Sequence, residues 1–309
     1  MSPVLPAAIP FDPVQLANAA RKAMKGMGTD DKALIQCIAP WTNEQLQVLR
    51  QAYQGELRRD LVEDVKSETS GAYEKGLVGA LLTRAEWDAK CLRSFMKGLG
   101  TDEKAMIETL AHRDWQELVA IKEAYLRMYG KTLQHDIEGD TSGLTKRFFV
   151  ALINSPRQDG NVSQVEVSQD ISDLYQAGNK FFTDDSTFVD VITKHGNDYL
   201  KALNVAYGRA CGDTLVHSCT KELGGWIEDG LIAMITDHDT YYAQLLFKAM
   251  DGAGTDEDTL VRIITSRRHR LFWINNKYME MYGKNLYHRV QNEVSGDLSK
   301  VLQGLMGGI

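Results

Sequence analysis

The feature that most constrains this chain is a heptapeptide written three times: Lys25-Gly-Met-Gly-Thr-Asp-Asp31, Lys97-Gly-Leu-Gly-Thr-Asp-Glu103 and Asp251-Gly-Ala-Gly-Thr-Asp-Glu257. The first two copies stand 72 residues apart and the last two 154 apart, which is two periods plus ten residues. A fixed period of this length marks a repeat array, in which each unit is one supersecondary element that buries its apolar face against its neighbours. The missing copy falls at Lys180-Phe-Phe-Thr-Asp-Asp185, where Thr183 lies 72 residues before Thr255. That copy is one residue shorter and has lost the second glycine. A second block gives the same register: Tyr53, Tyr125, Tyr207 and Tyr278 each precede a glycine (Gly71, Gly143, Gly225, Gly296) by 18 residues, with Leu61, Leu133, Leu215 and Leu286 eight residues after each tyrosine. The chain divides into a tail at 1–11, repeats at 12–83 and 84–156, a polar linker at 157–166, and repeats at 167–238 and 239–309.

Within a repeat the apolar spacing is helical. Asp12-Pro13 reads as a cap followed by proline at the first helical position, after which Val14, Leu16, Ala17, Ala20, Ala23 and Met24 recur mostly three or four apart. Gly26 and Gly28 stop that helix. Thr29 is expected to cap the next, with Asp30 and Asp31 in its first turn. Thr42-Asn43-Glu44-Gln45 looks like a capping box opening a third helix through Tyr53, and two more follow at about 56–65 and 70–82. Five short helices per repeat and no convincing alternating strand predict an all-α fold.

Composition limits the partners. The chain of 309 residues is 43% hydrophobic and 25% charged, with no apolar run of membrane-spanning length. Its N-terminus fits neither a signal peptide nor a transit peptide, so a cytoplasmic protein is expected. Cys37, Cys91, Cys211 and Cys219 form no C-x-x-C pair and read as reduced, buried small hydrophobes. A net charge of −7 repels nucleic acid and anionic lipid, so any anionic partner needs a bridging cation and no nucleic acid is expected.

The glycine loops supply the chemistry for such a bridge. A loop between two helices leaves carbonyls at the end of the first helix without partners. Calcium takes six to eight oxygens and accepts carbonyls readily, so a loop of this kind needs only a carboxylate brought from elsewhere. One recurs at fixed distance: Glu68 lies 40 residues after Gly28, Asp140 lies 40 after Gly100, and Glu222 lies 40 after Phe182. Glu293 lies 39 after Gly254, with one residue deleted between Ser266 and Tyr278. Two readings stay open on the residues alone. Glycine can serve a tight helix corner and an acid can cap a helix without any metal, or loop and acid together hold a cation.

The K-G-x-G-T-D loops, the four repeats of about 70 residues and the acid about 40 positions on resemble the annexin family across essentially the whole chain. The resemblance implies four five-helix domains, each a right-handed superhelix, in a slightly curved disc whose convex face carries the calcium loops. It implies calcium ligands at the carbonyls of Met24, Gly26 and Gly28 with Glu68, of Met96, Gly98 and Gly100 with Asp140, and of Met250, Gly252 and Gly254 with Glu293. Phe181 and Phe182, in the degenerate third loop, are candidates for membrane contact or for core packing. Asp88, Glu108, Arg113 and Arg262 match a central charged network, read first as ion pairs between repeats and otherwise as an ion path; Cys91 replaces an acid there.

The leading functional expectation is calcium-dependent binding to anionic, phosphatidylserine-type phospholipid membranes, peripheral and reversible, with Ca2+ bridging loop oxygens to lipid phosphate. Self-association on the membrane and a cytoskeletal partner are further expectations. The alternatives are a cytosolic interaction scaffold, for example for actin, in which calcium is incidental, and a calcium-permeable channel. Asp251-Gly-Ala-Gly-Thr-Asp fails as an EF-hand, because Phe247 and Ala249 fall where acids are needed. Gly130-Lys131-Thr132 fails as a P-loop end. No catalytic motif occurs and no enzyme is predicted. The basic run Arg267-Arg268-His269-Arg270 is read as a solvated helix corner, with an anionic partner as the other reading.

Overall fold

The computed structural model describes residues 11–98, 100–157, 162–178, 185–252 and 254–307. Phe181 and Phe182 lie outside the described residues. Among the described residues the chain is all helix, in four sets of five. Repeat one is α1 (Pro13–Ala23), α2 (Asp31–Ile38), α3 (Asn43–Leu57), α4 (Leu61–Glu68) and α5 (Gly71–Leu81). Repeat two is α6 (Arg84–Phe95), α7 (Glu103–Leu110), α8 (Trp115–Tyr129), α9 (Leu133–Asp140) and α10 (Gly143–Asn154). Repeat three is α11 (Gln164–Gly178), α12 (Asp185–Lys194), α13 (Asn197–Cys211), α14 (Leu215–Glu222) and α15 (Gly225–Ile235). Repeat four is α16 (His238–Met250), α17 (Glu257–Ser266), α18 (Leu271–Tyr282), α19 (Leu286–Glu293) and α20 (Gly296–Met306), with a 3-10 turn at Arg268–Arg270 before α18.

Local chemistry explains the helix boundaries. The Asp12 carboxylate accepts the backbone N–H groups of Val14 and Gln15 ahead of Pro13, and Thr42 with Gln45 forms the reciprocal capping box that opens α3. Three boundaries differ from the sequence expectation, the first being α11, which begins at Gln164 inside the expected 157–166 linker. Helix α3 runs on to Leu57 and stops where Arg58 turns left-handed, so the fourth helix begins only at Leu61, capped by Asp60. Helix α2 is capped by Asp30, whose carboxylate accepts the Ala33 N–H at 3.0 Å. Thr29 is therefore not the cap. The same holds at Asp102 and Asp256, which cap α7 and α17.

The chain forms two compact units, one of residues 1–84 with 242–309 and one of residues 85–241. In the first, α5 packs against both α17 and α20, and α2 packs against α20, so the first and last repeats share a core. Small residues permit the approach: a Cβ on Gly304 would stand 2.6 Å from the Ala39 Cβ. In the second unit α7 packs on α15, and α12 on both α10 and α15, around the buried Phe148, Phe149, Phe188 and Leu231. A Cβ on Gly230 would meet the Phe148 ring at 2.8 Å.

Each unit also closes its interior with one arginine. In the first, Arg268 donates to the carbonyls of Ala39, Trp41 and Leu305, the Nε–Leu305 bond being 2.8 Å long. Burial lowers the Arg268 pKa to about 10, which leaves it charged at neutral pH. Arg267 is buried against Tyr242, its guanidinium 4.4 Å from the ring centroid. The basic run is thus no solvated corner: its first two arginines work inside the protein, Arg267 on the Tyr242 ring and Arg268 at carbonyls near the ends of α2 and α20 that a planar fork of donors can satisfy. In the second unit Arg157 does the corresponding work, donating to the carbonyls of Ala111 and Arg113 at 2.8 Å each. Those two residues stand one period after Ala39 and Trp41.

The cysteines behave as small hydrophobes. Cys37, Cys91 and Cys219 are buried and none of the four is in a disulfide. Burial pushes the Cys37 thiol up to about 11 and Cys219 to about 12. Among the described residues no helix is long and apolar enough to cross a membrane.

Candidate calcium loops

The three glycine loops share one backbone path. Gly26 and Gly28 have φ of +123° and +87°, Gly98 and Gly100 +124° and +89°, Gly252 and Gly254 +152° and +106°. Side chains rarely adopt such angles, so glycine here is required by conformation. The path closes on an N–H from the following cap: Asp30 N donates to Ala23 O, Asp102 N to Phe95 O and Asp256 N to Ala249 O, at 2.9–3.0 Å. Among the described residues no hydrogen bond is made to the carbonyls of Met24, Gly26 and Gly28, or to those of Met96, Gly98 and Gly100.

The predicted acids reach the first two loops. Thr29 Oγ1 donates to Glu68 O at 3.3 Å and lies 3.5 Å from Glu68 Oε2. Thr101 Oγ1 donates to Asp140 Oδ2 at 2.6 Å and to Asp140 O at 3.1 Å. Because aspartate caps the helix, the threonine hydroxyl is free for this bond, and it ties the end of α4 or α9 to a loop 39 residues away. Among the described residues no group of three or more histidine, cysteine or acidic side chains is assembled. A cation at these loops would rely on main-chain oxygens with one carboxylate, a donor set of hard oxygens that suits calcium.

The fourth loop is built differently, and its sequence reading missed one residue. Glu293 pairs with Arg289, Nη1 to Oε1 at 2.7 Å, and Arg289 Nη2 donates to the Met250 carbonyl at 2.7 Å. The guanidinium therefore joins one predicted ligand to another, and no Thr255–Glu293 bond is present among the described residues. Arg289 stands four residues before its acid, where repeats one and two carry Asp64 and Asp136. Those aspartates are held inside their own repeats. Asp64 accepts from Tyr53 at 2.6 Å and Arg59 at 2.6 and 2.7 Å, with Arg21 at 3.6 Å. Asp136 accepts from Tyr125 at 2.7 Å and from Arg93. The position of Arg21 and Arg93 is Phe247 in repeat four, stacked on Tyr282 with centroids 3.9 Å apart. Base and acid have been replaced by a ring and a base. That exchange was the available sequence signal, legible only once the repeats are aligned on the tyrosine.

The charge environment follows. The Arg59 guanidinium is the largest influence holding the Asp64 carboxyl below the usual carboxylate range; burial opposes it, and Tyr53 and Arg21 add to it. Burial raises both tyrosines, but Asp64 pushes Tyr53 further up whereas Arg289 pulls Tyr278 down.

Of the charged-network residues, Asp88 and Arg113 form a buried ion pair in the second unit, Arg113 Nη2 to Asp88 Oδ2 at 2.5 Å, and Arg113 also reaches Glu117 at 3.0 Å. Glu108 is buried on α7 in the same unit. Arg262 is buried on α17 in the other unit and donates to Thr259 Oγ1 at 3.1 Å.

Comparison with known proteins gives one consistent answer. The sequence model of the Annexin family matches residues 15–80, 87–152 and 241–305. Annexin A4 of Homo sapiens is 38% identical over 98% of this chain and 97% of its own length. Among solved structures, annexin III is similar at a TM-score of 0.91 and 33% identity, covering 98% of this chain and 96% of that one. A structure described as calcium-bound annexin (Sm)1 matches at 0.81 and 28%, covering 97% and 91%. On both sequence and fold, the chain belongs to the annexin family.

Proposed function

We propose that this protein adsorbs to anionic phospholipid membranes through calcium held at the loops of repeats one and two. Annexins as a family bind phospholipid membranes in a calcium-dependent way and are not enzymes in general. The observation that supports it is the tether from Thr29 to Glu68 and from Thr101 to Asp140, which keeps a carboxylate beside a loop whose candidate carbonyls accept no hydrogen bond among the described residues. Met24, Gly26 and Gly28 would offer carbonyl oxygens with Glu68, and Met96, Gly98 and Gly100 with Asp140. Calcium bound there supplies a positive, incompletely coordinated centre that a lipid phosphate can complete. One carboxylate per site makes each site weak, and two weak sites engaging one surface gain through effective concentration. The same bridge overcomes the −7 charge that otherwise repels such a surface.

Co-sedimentation of the full chain with phosphatidylserine-containing vesicles across a calcium titration, against phosphatidylcholine vesicles and EGTA, tests this. Binding that needs both the anionic lipid and calcium, and that EGTA reverses, is expected. No binding at millimolar calcium would overturn the reading in favour of a scaffold whose loops are structural corners.

A further inference from the structure

Repeat four keeps its loop glycines and its acid, so by sequence it belongs with repeats one and two. Its side chains do something else. The Arg289 guanidinium lies between the Met250 carbonyl and the Glu293 carboxylate, 2.7 Å from each, which are two of the groups a calcium ion at this loop would need. We infer that Arg289 is an internal cation that takes the place of calcium at the fourth loop, leaving it silent at calcium concentrations that load the first two. This rests on the loop-and-acid reading proposed above.

Three features argue that the contact is built into the repeat. The partners that neutralise this position elsewhere are gone: Asp64 and Asp136 have become Arg289, and Arg21 and Arg93 have become Phe247. Phe247 is occupied in stacking on Tyr282 and offers Arg289 no charge. Arg289 therefore finds its acceptors at Glu293, one turn on along α19, and at the Met250 carbonyl that ends α16. Both partners are only partly shielded, with side-chain exposures of 24% and 25%, so the pair is placed where an ion arriving from solvent would compete with it. Calcium would have to displace the guanidinium from a carbonyl and a carboxylate together, and a site whose competent form is minor binds more weakly by that fraction.

Isothermal titration calorimetry of the full chain with calcium, set beside terbium luminescence, decides the matter. Arg289→Gln is expected to gain one bound equivalent over wild type at the calcium level that saturates the first two loops, with at least ~10-fold tighter binding at the fourth. Adding Glu293→Gln to it should remove the gain, while Glu293→Gln in the wild-type background should leave stoichiometry unchanged. An unchanged stoichiometry in a folded Arg289→Gln protein overturns the inference, as does loss of an equivalent from Glu293→Gln alone. The latter readout stands even if Arg289→Gln fails to fold. The failure of the underlying reading looks different: Glu68→Gln with Asp140→Asn would then leave wild-type calcium binding intact, or wild type would bind none, and both ideas fall.

Discussion

Repeats two and four start from nearly the same sequence plan and end with opposite electrostatics. In repeat two, Arg93, Asp136 and Tyr125 satisfy one another, and Asp140 accepts from Thr101 of the loop rather than from an internal cation. In repeat four the corresponding trio is Phe247, Arg289 and Tyr278. The unneutralised guanidinium reaches up and engages the loop itself. The lesson is that a binding motif's availability is set by the neutrality of the layer beneath it. A charge with no partner in its own layer takes one from the next.

The comparison breaks most visibly at the acids. Glu68→Gln with Asp140→Asn should raise the calcium needed for half-maximal vesicle binding by about 100-fold, equivalent to about 2.7 kcal/mol, whereas Glu293→Gln should move it less than about 2-fold; vesicle titrations of the two variants give the contrast. Next in size is the buried layer. Asp136→Ala strips Arg93 and Tyr125 of their shared acceptor and should cost about 2 kcal/mol by urea denaturation. Arg289→Ala, at the matching position but about a quarter exposed, should cost under about 0.5 kcal/mol; comparable losses would mean the two layers are not opposites. Smaller again, Tyr125→Phe should lose about 1 kcal/mol through its bond to Asp136, and Tyr278→Phe about half that or less.

The finest probe is pH. The Asp64 carboxyl is held below its unfolded value by Arg59, so its contribution is complete above about pH 4, the unfolded range, and is lost as pH falls through the lower folded value. Wild type should exceed Asp64→Asn in thermal midpoint by a constant margin above about pH 4, and the two curves should converge below it. A margin that persists at pH 2 would show that shape rather than charge sustains the contact.

The helix order was legible because capping and apolar periodicity are local. Asp12, the Thr42–Gln45 box and the glycine loops each act within a few residues, and four copies allowed one repeat to check another. The start of the fourth helix was misplaced because Arg58 enters the left-handed region without being glycine, which no local pattern announces. Local pattern does not separate Thr29 from Asp30, because threonine and aspartate are both good caps. The structure gives the role to Asp30 and sends the threonine to Glu68, a choice made by a partner 39 residues away.

By itself, then, the sequence determined the all-α repeat architecture and the loop glycines, and it pointed to the acids that Thr29 and Thr101 meet in the first two repeats, since period, cap and conformational freedom are properties of short segments. Tertiary structure decided which repeats share a core, because α20 approaches α5 where Gly76 leaves room for Val301 and approaches the end of α2 where Gly304 leaves room for Ala39. It also decided that a guanidinium meets the predicted ligands of the fourth loop. Arg289 is one cation among 35 lysines and arginines in the sequence; its meaning comes from the carbonyl and carboxylate that the fold sets 2.7 Å from it.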